Sequence, residues 1–171
     1  MTSGSIQHIV CAVRGGAESQ HTVDSAIDLA QRAGARLSLV HVVDPGCIDC
    51  GDLAKSSAAY RQYMGEAESN MQTLRRQARA AGITEVDLEL REGDTRQELR
   101  QLVLDTDAEI FVLGRPGPDL ERNVFGIEEF HQFMAELDFG GDLRTIQVRP
   151  LPDVGQEARD SSGGPDHEKL M

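Results

Sequence analysis

The 171-residue sequence predicts an α/β fold, a doubly wound parallel sheet of five strands with helices on both faces. Three observations predict it. Strand-like and helix-like segments alternate along the chain. The apolar runs that read as strands are short and nearly continuous, as strands buried on both faces are. One of them, Ile110-Phe111-Val112-Leu113, runs into Gly114-Arg115-Pro116-Gly117, a turn at the carboxyl end of a strand, where open α/β sheets bind ligands.

The elements follow in order. Ile6 to Val13 (IQHIVCAV) is the first strand. Ser19 can cap a helix to Ala33 whose apolar face is Val23, Ala26, Ile27, Ala30 and Ala33, with Gly34 as the stop. Arg36 to Val43 (RLSLVHVV) is the second strand, followed by a loop with Pro45, Gly46 and Gly51. A long helix from about Leu53 to Ala80 carries a stripe of Tyr60, Met64, Ala67, Met71, Leu74 and Ala78, and Gly82 ends it. Val86 to Leu90 alternates apolar and polar, as an outer strand does. After the Gly93-Asp94 turn, Thr95 and Glu98 form a capping box for a helix facing inward with Leu99, Leu102 and Val103. Ile110 to Leu113 is the fourth strand. Phe130, Phe133, Met134 and Leu137 mark a further helix, and Thr145, Ile146, Gln147 and Val148 a fifth strand. These elements form one domain over residues 1–150. Residues 151–171 have no periodicity and little to bury, and are expected to be a disordered acidic tail of net charge −3, which leaves −9 of the total −12 on the domain.

Bulk composition narrows the function. A net charge of −12 and a pI near 4.7 argue against nucleic acid or an anionic membrane surface as the main partner. No apolar run approaches the roughly 20 residues of a membrane span, and MTSGSIQHIV lacks the basic and apolar regions of a secretory signal. A cytoplasmic location is the expectation. Three cysteines are too few for a disulfide scaffold. The loops after Val13, Val43 and Leu113 crowd one crevice if the switch point lies between the first and fourth strands.

The residues around that crevice carry a family resemblance. IVCAVRGGAESQHTVDSAIDLAQRAGARLSLVHVVDP resembles the opening strand-helix-strand of the universal stress protein family, and EGDTRQELRQLVLDTDAEIFVLGRPG resembles its second half. The likeness spans about residues 5 to 150 and rests on many weakly specific positions in the right order. It implies strand order 3-2-1-4-5 and a homodimer, often made by pairing the last strands, here Thr145 to Val148. Nucleotide-binding members place an Asp just after the first strand. Here Ala12 and Val13 lead into Arg14, which donates hydrogen bonds and cannot accept them. Those members also carry Gly-x2-Gly-x9-Gly-Ser/Thr. Gly114 and Gly117 match its first half, but the third glycine falls at Ile127, Gly126 is one residue early, and Glu128 and Glu129 follow. Carboxylates suit a helix N-terminus but repel a polyphosphate. Pro116 removes a loop N–H. The expectation is a crevice without productive ATP binding and a chain with no resident cofactor, acting in stress regulation through a protein partner. The alternative keeps ATP or AMP in an adenosine pocket lined by Val42, Leu113 and the two glycines, as a sensor. Arg14 and Arg115 either clamp a different anion or are solvated or paired with local acids such as Glu18 or Glu121.

Cys47-Ile48-Asp49-Cys50 follows the second strand, at the same rim. The pair can be a redox switch or disulfide, two ligands of a metal site completed by His21 with Asp44 or Asp49, or two tolerated thiols. No second CxxC is present to complete a zinc site within the motif. Cys11, inside the first strand, reads as a small buried residue, and His41 as a satisfied core histidine. His8, His131 and His167 read as surface groups. No local motif spaces a Ser/His/Asp set or a carboxylate pair, so the sequence makes no positive case for an enzyme.

Overall fold

The computed structural model describes residues 4–14, 19–45, 57–116, 127–137 and 144–148. Its elements are β1 (His8–Val13), α1 (Ser19–Ala33), β2 (Arg36–Val43), α2 (Ala58–Ala80), β3 (Val86–Glu92), α3 (Thr95–Asp105), β4 (Ile110–Gly114), α4 (Ile127–Leu137) and β5 (Arg144–Val148). The strands form one parallel sheet in the order β3-β2-β1-β4-β5.

Side chains leave a strand on alternate faces, and this period divides the core in two. Ile9 and Cys11 of β1, Leu37 and Leu39 of β2, and Ile110 and Val112 of β4 face Val23, Ala26, Ile27 and Ala30 of α1 and Met71 and Ala78 of α2. Val10, Val40, Phe111 and Leu113 point the other way, against Leu99 and Leu102 of α3 and Phe130, Phe133, Met134 and Leu137 of α4. The sheet is thus covered on both faces, and β1 and β4 lie central and buried.

Two helix starts differ from the sequence reading. Ser57 is in extended conformation and its hydroxyl accepts from the Tyr60 N–H at 3.1 Å, so α2 starts at Ala58 and not near Leu53. The cap of α3 is Asp94, whose carboxylate accepts from the Gln97 N–H at 2.9 Å. Thr95 is the first helical residue and not the cap, and its N–H is satisfied by the Asp44 carboxylate at 3.2 Å. The capping box is therefore replaced by an aspartate cap. Gly34 and Gly82 do stop their helices with positive φ, +66° and +95°. The expected tail over 151–171 lies outside the described residues.

Candidate functional site

The parallel sheet brings the carboxyl ends of β1, β2 and β4 to one rim. Val13 ends β1, and its carbonyl accepts a hydrogen bond from the His41 Nδ1–H at 2.8 Å, which settles His41 as a satisfied core histidine. Asp44, just past β2, is committed to the first residue of α3. The Gly93 N–H donates to the Val43 carbonyl at 3.0 Å, which ties the β3–α3 turn to the same rim. Ala12, Val42, Gly114, Arg14 and Arg115 are half-buried around it, whereas Leu113 is buried in the core on the α3 and α4 side. Gly117, Gly126 and the Cys47–Cys50 pair lie outside the described residues. His21 is half-buried on α1, and among the described residues no group of three His, Cys, Asp or Glu side chains could hold a metal ion.

Gly114 has a local packing role. A Cβ there would meet the Thr22 hydroxyl oxygen of α1 at 2.9 Å, and Thr22 is buried. The missing side chain lets the first turn of α1 seat against β4. Thr22 is buried and branched at Cβ, which restricts its χ1 to few rotamers. Gly114→Ala is expected to cost about 1–3 kcal/mol in urea unfolding. In Gly114→Ala with Thr22→Ala the loss should fall short of the sum of the single changes by about 0.5 kcal/mol or more. Additive losses would show that the two positions do not touch.

The far side of the rim is the start of α4. Ile127 is its first residue, half exposed, and Glu128 and Glu129 fill the first turn with exposed carboxylates. This helix N-terminus, an end that favours anions, displays a bulky apolar group and two carboxylates of its own.

A second polar cluster stands at the opposite, amino end of the sheet. His8 is buried, not on the surface as its sequence context suggested. Its Nδ1 lies 2.6 Å from an Asp107 carboxylate oxygen and its Nε2 lies 2.7 Å from the Ser38 hydroxyl. The Arg36 guanidinium donates to both Asp107 oxygens, at 2.7 and 2.9 Å, and the backbone N–H of His8 donates to Glu109 at 2.8 Å. The His8 hydrogen bond first, with the Arg36 charge adding to it, holds the Asp107 carboxyl below its usual range. The period of two is the sequence signal that was available. His8 shares a face with Val10 and Ala12, and so points inward.

The universal stress protein family model matches residues 5–127, most of the chain. The chain belongs to the universal stress protein family. Solved structures agree at the level of the fold. A universal stress protein in complex with cAMP superposes with a TM-score of 0.59 at 18% identity, covering 85% of this chain and 98% of that one. UspA from Lactobacillus plantarum gives 0.60 at 18%, with 84% and 98% covered. The universal stress protein of Archaeoglobus fulgidus in complex with dAMP gives 0.55 at 16%, with 84% and 98% covered. No curated protein matches the sequence significantly. The family match ends at Ile127, the residue that opens α4 where the family resemblance places a glycine. Among the described residues, no helix is long and apolar enough to cross a membrane.

Proposed function

We propose that this universal stress protein is a regulatory protein of the cytoplasm that acts as a homodimer on a protein partner, with a crevice that no longer binds ATP productively. The observation that carries this reading is the start of α4, where Ile127, Glu128 and Glu129 occupy the turn that would face a polyphosphate. Arg14 after β1 supports it, since a guanidinium can only donate to a nucleoside where an acid would accept. Among the described residues, those we assign to the rim of the altered crevice are Ala12, Val13, Arg14, Val42, Gly114, Arg115 and Ile127. The dimer is supported by β5, a sheet-edge strand that a second copy can extend through Thr145 to Val148. The acidic segment 151–171 adds solubility to a domain over 1–150.

A second reading, an adenine-nucleotide sensor, is favoured by the cAMP and dAMP held by two proteins of the same fold. Calorimetry separates the two. Titration of the full chain with ATP, AMP and cAMP is expected to give no binding at micromolar concentration, on a sample that sedimentation equilibrium shows to be dimeric. Micromolar affinity for any of the three establishes the sensor reading instead.

A further inference from the structure

Three side chains at the amino end of the sheet form a hydrogen-bonded line: the Asp107 carboxylate, the His8 imidazole and the Ser38 hydroxyl, with contacts of 2.6 and 2.7 Å. They come from the loop before β4, the first residue of β1 and the third residue of β2, and lie away from the crevice. The chemistry of each atom fixes the direction of the line. An ionised carboxylate only accepts, so His8 Nδ1 must carry the proton. In the neutral imidazole Nε2 is then the acceptor, and the Ser38 O–H donates to it. The His8 hydrogen bond first, and then the Arg36 guanidinium that donates to both its oxygens, favour the ionised form of Asp107. The serine hydroxyl therefore points its proton at a base that is itself held in one tautomer. This is the geometry of an activated serine nucleophile.

We propose that Ser38, His8 and Asp107 are a hydrolytic site that cleaves small, activated carboxylic esters. Ser38 is half-buried, so access is narrow and favours a short acyl group. Ser38 Oγ bonds to the ester carbonyl carbon as its proton passes to His8 Nε2. The carbon–oxygen bond to the alcohol breaks, and the leaving oxygen takes that proton from His8. Water then attacks the acyl-serine and gives a proton to His8, which returns it to Ser38 Oγ. Ester and water become acid and alcohol, with no change of oxidation state. Asp107 touches no reacting atom and is a positioning residue. This site is independent of the crevice and adds an activity to the regulatory reading.

A fluorophosphonate ester probes it directly, because an activated serine displaces its fluoride and keeps the phosphonyl group. Full-length protein is expected to gain one phosphonyl group, mapped by tandem mass spectrometry to Ser38. The adduct should vanish in Ser38→Ala and form about 100-fold more slowly in His8→Gln with the circular dichroism spectrum unchanged. Asp107→Asn should slow it as well, and Asp107→Glu should restore part of the rate. These variants change little volume. If His8→Gln nevertheless fails to fold, the Asp107 pair and the wild-type adduct decide the matter. No adduct, an adduct elsewhere, or Ser38 labelling at the same rate in the His8 or Asp107 variants overturns the proposal.

Discussion

Phe133→Ala is expected to destabilise the protein by about 3–5 kcal/mol. Phe133 is fully buried, beside Phe130 and Phe111, in the half of the core that joins β1, β2 and β4 to α3 and α4. α4 offers four buried side chains, Phe130, Phe133, Met134 and Leu137, and Phe133 is the most enclosed of them. Truncation removes a ring from water-free contact and leaves a cavity between two elements that cannot close it without shifting the helix. A domain of this size has about 5–15 kcal/mol of stability in all, so the midpoint of urea unfolding should fall sharply while the slope stays the same. Leu104→Ala is the matched control. Leu104 is 77% exposed, and its change should stay within about 0.5 kcal/mol. A loss of under about 1 kcal/mol for Phe133→Ala would mean that α4 does not rest on this core.

The same burial explains what the sequence made legible. Strands such as Val10 to Val13 and Ile110 to Leu113 read correctly because a strand covered on both faces must be apolar at every position. The stripe on α2 read correctly in its buried members, Tyr60, Ala67, Met71 and Ala78, because a helix turns one face to the sheet. Boundaries were less legible, since a cap depends on which donors have partners elsewhere. Thr95 looked like a cap, but the preceding Asp94 takes that role and the Thr95 N–H goes to Asp44, 51 residues away. Gly114 read as a close-approach glycine, but its neighbour Thr22, 92 residues earlier in the chain, was not legible. The start of α4 was legible, because Ile127-Glu128-Glu129 is a local string. The Asp107–His8–Ser38 line was not. Its members stand 99 and 30 residues apart, and only the strand register brings them together. Local spacing can reveal a loop that binds phosphate, but not three side chains that meet only after the sheet forms.

Cys11 gives the second large expected effect, a loss of stability in alkali. Its thiol is wholly buried among the side chains that face α1 and α2, and burial pushes it up to about 12 from an ordinary 9.0. In the unfolded chain the thiol ionises from about pH 9, and in the folded chain it stays protonated, because a thiolate there would be a charge in an apolar core. Above the unfolded value the unfolded state therefore holds fewer protons than the folded state, and rising pH favours unfolding. The contribution is nil below about pH 8 and grows through the window from 9 toward 12, reaching on the order of 4 kcal/mol at its upper end. Tyr60 acts in the same direction above pH 10, since burial and the neighbouring Glu92 carboxylate raise its hydroxyl to about 12. Urea midpoints at pH 7 to 11 check this. The natural protein should lose stability steeply above pH 9. Cys11→Ala should start slightly lower, for the sulfur it lacks, and fall less steeply over the same range. The other titrating groups are common to both proteins, so the difference in slope isolates the one thiol. Two curves that stay parallel to pH 11 would show that the Cys11 sulfur reaches water in the folded state, and would remove it from the centre of the sheet where its pairing with Leu39 and Val112 places it.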